Sequence, residues 1–154
     1  MKQILSKSIV LIGLMGSGKS AVGKTLSEAI EVPFSDTDNI IEKEVGKKIH
    51  QIFDDFGERY FRQVEKKVVE RTLEDNAHII STGGGSIVSP KIRKLIKVKS
   101  FSIWIQCDVR IIAKRLLNQG NRPLLKNKNI LSLIHISEPT RLLSIGFAGF
   151  WVKK

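Results

Sequence analysis

Residues 13–20 read Gly-Leu-Met-Gly-Ser-Gly-Lys-Ser and follow the apolar, branched run Ser8-Ile9-Val10-Leu11-Ile12. Such a run reads as a buried parallel strand. Beyond the motif, Val22, Leu26 and Ile30 recur at helical spacing. Strand, glycine-rich loop and helix are the context in which G-x-x-x-x-G-K-[ST] forms a phosphate-binding loop. Glycines at 13, 16 and 18 let successive N–H groups turn toward phosphate oxygens with no Cβ in the way. The helix starting near Lys19 adds the positive end of its dipole. Lys19 can reach the β- and γ-phosphates, and the Ser20 hydroxyl can ligate Mg²⁺. The stretch is a nucleotide-phosphate site, and it commits the chain to an α/β sheet with its ligands at one edge.

At 154 residues the chain suits one domain. No run approaches a membrane span, and Met1-Lys2-Gln3-Ile4 is too short and polar for a signal peptide. Cys107 is the single cysteine, which rules out an internal disulfide. It ends an apolar strand and reads as a small core residue in a cytoplasmic protein. The net charge of +11 is unevenly placed. Residues 1–90 carry 12 Lys+Arg against 13 Asp+Glu, and residues 91–154 carry 14 against Asp108 and Glu138 alone. With no basic stripe interleaved with aromatics, the basic half reads as a solvated face plus arginines for small anions, and nucleic acid is not expected.

After the first helix, Pro33-Phe34-Ser35 runs into Asp36-Thr37-Asp38. Two carboxylates at a strand exit beside a phosphate loop can serve a cation and a substrate hydroxyl. They can equally cap the helix that begins near Asn39. Residues 49–56 and 58–73 read as helices broken at Gly57. Phe61, Val64, Val68 and Leu73 form the inner face of the second, and Arg59 and Arg62 lie in its first turns. Either arginine alone reads as a surface ion pair. His78-Ile79-Ile80-Ser81 is a further strand and enters Thr82-Gly83-Gly84-Gly85, where three glycines imply a close backbone approach or a tight turn. His50, His78 and His135 lack partners at metal spacing. Ser89-Pro90 opens a basic helix. Phe101 to Ile105 forms a strand and residues 109–117 a helix. The polar loop that follows carries Arg122 and reads as a lid for the transferring phosphate.

Taken together, GLMGSGKS, Asp36-Thr37-Asp38, Gly57-Glu58-Arg59-Tyr60-Phe61-Arg62, the triple glycine and Arg122-Pro123-Leu124-Leu125 resemble the shikimate kinases, a family of small P-loop kinases. The resemblance implies a three-layer α/β/α fold of the P-loop NTPase type, with a mostly parallel central sheet. It also implies ATP-dependent phosphorylation of shikimate, with Mg²⁺, by a monomer acting without nucleic acid or membrane. On that basis Gly13, Met15, Gly16, Ser17, Gly18, Lys19, Ser20 and Ala21 would bind ATP, with Arg115 at the adenine and Arg122 at the phosphates. Ser20 and Asp36 would hold Mg²⁺. Asp38 would act as base on the shikimate hydroxyls, Arg62 would bind the carboxylate, and Gly83, Gly84 and Gly85 would line the pocket. Lys19, Asp38 and Arg122 are the implied catalytic residues.

The resemblance assigns residues 1–127 to the kinase domain, with the lid at 118–126. Residues 128–154 fall outside it. The family's final strand and helix are expected to be missing or replaced, leaving a sheet edge bare, and no family arginine maps onto Arg141. The segment SLIHISEPTR resembles a translated sequencing-adapter peptide, which makes the tail a read-through. Rival readings are another small-molecule P-loop kinase, for gluconate or a nucleoside monophosphate, and a nucleotide-binding module without turnover.

Overall fold

The computed structural model describes residues 5–117 and 151–153. Five strands and five helices run in the order β1 (Ser8–Ile12), α1 (Lys19–Ile30), β2 (Phe34–Asp36), α2 (Thr37–Val45), α3 (Ile49–Thr72), β3 (Ile79–Ser81), α4 (Pro90–Lys99), β4 (Ser100–Gln106), α5 (Val109–Leu117) and β5 (Trp151–Lys153). A short 3-10 turn, Ser86–Val88, links β3 to α4. The strands form one sheet in the order β2-β3-β1-β4-β5, and every pairing is parallel.

Alternation along β1 divides the core. Val10 and Ile12 point to one face and pack with Ile80, Val69, Ile92 and Ile96, the last three from α3 and α4. Leu11 points the other way, with Ile79 and Ile105, against Val22, Leu26 and Ile30 of α1. Each such fully buried side chain contributes about 1.5–3 kcal/mol. This is the three-layer, mostly parallel α/β architecture that the motifs imply. A third cluster of Ile41, Ile52, Phe61 and Val68 joins α2 to α3.

The break expected at Gly57 is present: with φ 77° and ψ 170° its backbone is not helical, and α3 kinks there into two helical segments. A Cβ there would touch nothing within 4 Å, so backbone conformation alone favours glycine. Helix α2 begins at Thr37, two residues earlier than expected, because Asp36 is its cap. Ser89 caps α4 as its sequence indicates, accepting from the Ile92 N–H at 3.5 Å.

One expectation is corrected. The sheet edge beyond β4 was expected to be bare, but β5 pairs with it in the register Trp104↔Trp151, Ile105↔Val152 and Gln106↔Lys153. A parallel ladder uses main-chain groups, and tryptophan and valine suit an extended chain, so three tail residues suffice to fill the position. The lid, Arg122 and Arg141 lie outside the described residues. Among the described residues no helix is long and apolar enough to cross a membrane.

Candidate active site

Three loops leave the carboxyl ends of β1, β2 and β3 at the same edge of the sheet, where open α/β sheets bind their ligands. The first is the glycine-rich loop. Gly13 has φ 148°, and a Cβ on it would stand 2.5 Å from the Ile105 carbonyl oxygen, so only glycine fits between β1 and β4. Gly18 caps α1 in the left-handed region. Lys19 is buried and folds back over the loop, its Nζ donating to the Gly13 carbonyl at 2.9 Å and the Leu14 carbonyl at 2.8 Å. Ser17 is fully buried and its hydroxyl has no protein partner. From 99 residues away, Arg115 Nη1 donates to the Gly16 carbonyl at 2.8 Å and lies 3.9 Å from Cys107 Sγ. Cys107 is buried with Ile112, Leu14 and Met15, the core role read from its position.

The second is the junction Asp36-Thr37-Asp38, where β2 passes directly into α2. Asp36 fills the capping role weighed for it and also contacts the phosphate loop's serine. Its Oδ1 accepts from the N–H groups of Asp38 and Asn39, at 3.0 and 3.5 Å, and so caps α2. Its Oδ2 accepts from the Ser20 hydroxyl at 2.6 Å. The Ser20 and Ser81 hydroxyls are 3.4 Å apart. These donors are all hard oxygens, which fit Mg²⁺, an ion that uses one or two protein ligands and completes its shell with water and phosphate oxygens. Among the described residues no cluster of three or more His, Cys, Asp or Glu could hold a metal by itself.

The third loop explains the triple glycine by space rather than by flexibility. A Cβ on Gly83 would lie 2.7 Å from Asp38 Oδ1, one on Gly84 would lie 2.6 Å from the Met15 N, and one on Gly85 would lie 2.8 Å from Arg62 Nη2. Each glycine therefore seats a different part of the site. Thr82 fixes the loop to the end of β1 by donating its N–H and hydroxyl to the Leu11 carbonyl, at 3.2 and 3.1 Å.

Arg62 is held by a residue that the sequence pattern did not single out. Glu65 is only 1% exposed and accepts Arg62 Nη1 at 2.7 Å on one oxygen and the Ser86 hydroxyl at 2.6 Å on the other. Glu58 adds a longer contact at 3.4 Å, and the guanidinium carbon lies 5.3 Å from the Phe61 ring centre. The signal was a charge inside an apolar stripe: Phe61, Glu65, Val68 and Thr72 share the buried face of α3. Truncating Glu65 leaves a guanidinium and a hydroxyl without their acceptor. Glu65→Ala is expected to lower stability by about 3–5 kcal/mol, read as a shift in the urea unfolding midpoint.

Asp36, Asp38, Arg62, Met15 and the three glycines line one pocket of about 400 Å³, floored by Phe53 and Phe61. Glu42 closes its α2 side and ties α2 to the start of α3, accepting Lys48 Nζ at 2.8 Å and the Ile49 N–H at 3.0 Å. Burial alone would raise its pKa, but the Lys48 and Ile49 hydrogen bonds and the charges of Lys48 and His50 outweigh that and hold it below 4.5. A carboxylate with a depressed folded pKa contributes stability above the unfolded value and loses it as pH falls through the folded one. The melting temperatures of wild type and Glu42→Gln are therefore expected to differ at neutral pH and to converge as acid takes the pH down through the lowered pKa of Glu42.

The fold and these three loops define a P-loop α/β protein with a second, acid- and arginine-bearing pocket beside the phosphate loop. The family model for shikimate kinase matches residues 15–142. Shikimate kinase from Caulobacter vibrioides is 41% identical over 129 residues, covering 84% of this chain and 64% of the relative. The enzyme from Caldicellulosiruptor bescii is 40% identical, covering 86% of this chain and 80% of its own. A solved shikimate kinase from Acinetobacter baumannii, in complex with shikimate, superposes with TM-score 0.86 at 28% identity, covering 96% of this chain and 84% of its own. The enzyme from Aquifex aeolicus gives 0.79 at 34% identity over 95% and 86%. The chain belongs to the shikimate kinase family. It spans 64% of the length of the Caulobacter relative. A gluconokinase from Sinorhizobium meliloti gives 0.52 at 20% identity, a likeness of fold alone.

Proposed function

We propose that the protein transfers the γ-phosphoryl group of ATP to a hydroxyl of shikimate, giving ADP and shikimate 3-phosphate. The observation that carries this reading is the single pocket in which Asp38, Arg62 and the triple glycine meet the phosphate loop through Met15 and Gly84. Lys19 exchanges its hold on the Gly13 and Leu14 carbonyls for the β- and γ-phosphates. Arg62, oriented by Glu65, pairs with the shikimate carboxylate, a planar match of guanidinium to carboxylate. Asp38 accepts the proton of the attacking hydroxyl as the new O–P bond forms and the bond to the β-phosphate oxygen breaks. Catalysis of this kind is positioning and charge stabilisation with little covalent chemistry. Ser20 and Asp36 would hold Mg²⁺, which neutralises phosphate charge when bound.

Gly13, Met15, Gly16, Ser17, Gly18, Ser20 and Ala21 contact ATP in this scheme. Arg115, already at the Gly16 carbonyl, faces the adenine, and Arg122 of the lid at 118–126 reaches the phosphates. The protein acts as a cytoplasmic monomer, without nucleic acid or membrane. The kinase domain is residues 1–127. Residues 128–154 are a foreign tail, although the family match runs to 142, and re-reading the genomic DNA beyond the Leu125 codon tests that assignment.

The deciding experiment is ADP release with purified protein, ATP and Mg²⁺, with and without shikimate. Release that requires shikimate supports the assignment. Release driven by gluconate or a nucleoside monophosphate supports another small-molecule kinase, and ATP binding without acceptor-dependent release supports a binding module.

A further inference from the structure

The glycine-rich loop is seated against α5, whose arginine lies 99 residues beyond it. Arg115 donates from Nη1 to the Gly16 carbonyl at 2.8 Å. Alongside that contact, Leu14 and Met15 of the loop pack on Cys107 and on Ile112 of α5 itself. One polar and one apolar contact therefore join the loop to the same helix.

What the polar contact fixes is a peptide plane. Gly16 has φ 76° and Gly18 φ 98°, so the backbone on either side of Ser17 is carried by glycine, with little steric restraint. A trans peptide points its carbonyl and its N–H in opposite directions. With the Gly16 carbonyl held by Arg115, the Ser17 N–H turns the other way and donates to the Leu14 carbonyl at 3.2 Å. The contact also commits to a cation a carbonyl oxygen that phosphate would repel. Lys19 holds the Gly13 and Leu14 carbonyls but gives them up to reach phosphate in the scheme above. Arg115 has no such exchange to make, because a guanidinium donates in its plane and leaves its faces free to stack on a base.

We propose that Arg115 is a positioning residue for phosphate binding, acting through the Gly16 carbonyl to order the glycine-rich loop before nucleotide arrives. The ordering entropy then falls on folding and not on binding, which tightens the site for phosphate whatever the base. The inference rests on the ATP assignment made above and adds to it a role for Arg115 that needs no adenine.

Amide hydrogen exchange of the ligand-free whole chain tests it, together with titrations of ATP and of tripolyphosphate in Mg²⁺. The titrations are run at about 0.5 M salt, which screens long-range attraction between exposed charges. In Arg115→Met, which keeps a long side chain but removes the donor, exchange over residues 14–18 is expected to quicken by about three- to tenfold. The Kd values for ATP and tripolyphosphate should rise together by about the same factor, because the loss lies in the loop and not at the base. Arg115→Lys keeps a donor without the planar face, and should bind tripolyphosphate more tightly than the Met variant does. Melting curves confirm that each variant is folded, and the Lys variant keeps the test open if the Met variant is not. Unchanged exchange in Arg115→Met would overturn the proposal, as would a loss of ATP affinity with tripolyphosphate affinity retained. ATP binding without shikimate-dependent ADP release would instead sink the kinase reading while the exchange rates still decide the role of Arg115. Failure of the wild type to bind ATP would overturn both.

Discussion

Lys19→Ala is expected to lower shikimate-dependent ADP release by about 10²- to 10³-fold or more, the scale seen when one preorganised charge-stabilising group is removed. The side chain is buried at the hinge between loop and helix and bonds two carbonyls of its own loop. Its loss therefore has a structural part as well, about 1 kcal/mol for each hydrogen bond. The two parts separate in measurement. The structural part appears in the urea midpoint and is modest, whereas the electrostatic part appears in kcat and is large. Retention of turnover within tenfold of wild type would mean that this lysine is not the phosphate clamp, and the proposed chemistry would fall with it.

Gly84→Ala is expected to damage both halves of the site by adding one methyl group. The Cβ would stand 2.6 Å from the Met15 N and 3.1 Å from its Cα. Those are backbone atoms of the phosphate loop, so no rotamer change relieves the clash and one of the two loops must move. Overpacking of this sort costs about 1–3 kcal/mol. A displacement approaching 1 Å between nucleotide and acceptor costs about 10²-fold in rate. The diagnostic result is a rise in KM for ATP and shikimate together. A rise for one substrate alone would show that the loops do not bear on each other through this contact.

The fold was legible where chemistry and periodicity coincide. The apolar run before the glycine-rich loop is β1, the Gly57 break is a kink at that residue, and Ser89 caps α4. The glycine-rich loop, the Asp36-Thr37-Asp38 segment and the triple glycine meet at one sheet edge because each directly follows a strand, while Arg62 reaches them from α3 and Arg115 from α5. Less legible were features set by tertiary contact. The place of Glu65 in the apolar stripe of α3 was visible, but its contact with Ser86, 21 residues on, was not. Arg115 lies 99 residues from Gly16, and only the fold brings the two together. Pairing of β5 with β4 depends on main-chain groups, which leave no signature in the side-chain sequence.

Strand β2 ends at Asp36 and helix α2 begins at Thr37, with no connecting residue. The chain thus passes from sheet to helix with no slack, and Asp38 is fixed relative to Ser20 by two peptide steps and a cap. One added residue here would turn α2 by about 100° and swing Asp38 out of the pocket. The stretch from Glu74 to Ala77, a bend between α3 and β3, contributes no residue to the pocket. Insertion tolerance should therefore differ sharply between the two connections: length is part of the active site at the first and a matter of surface at the second.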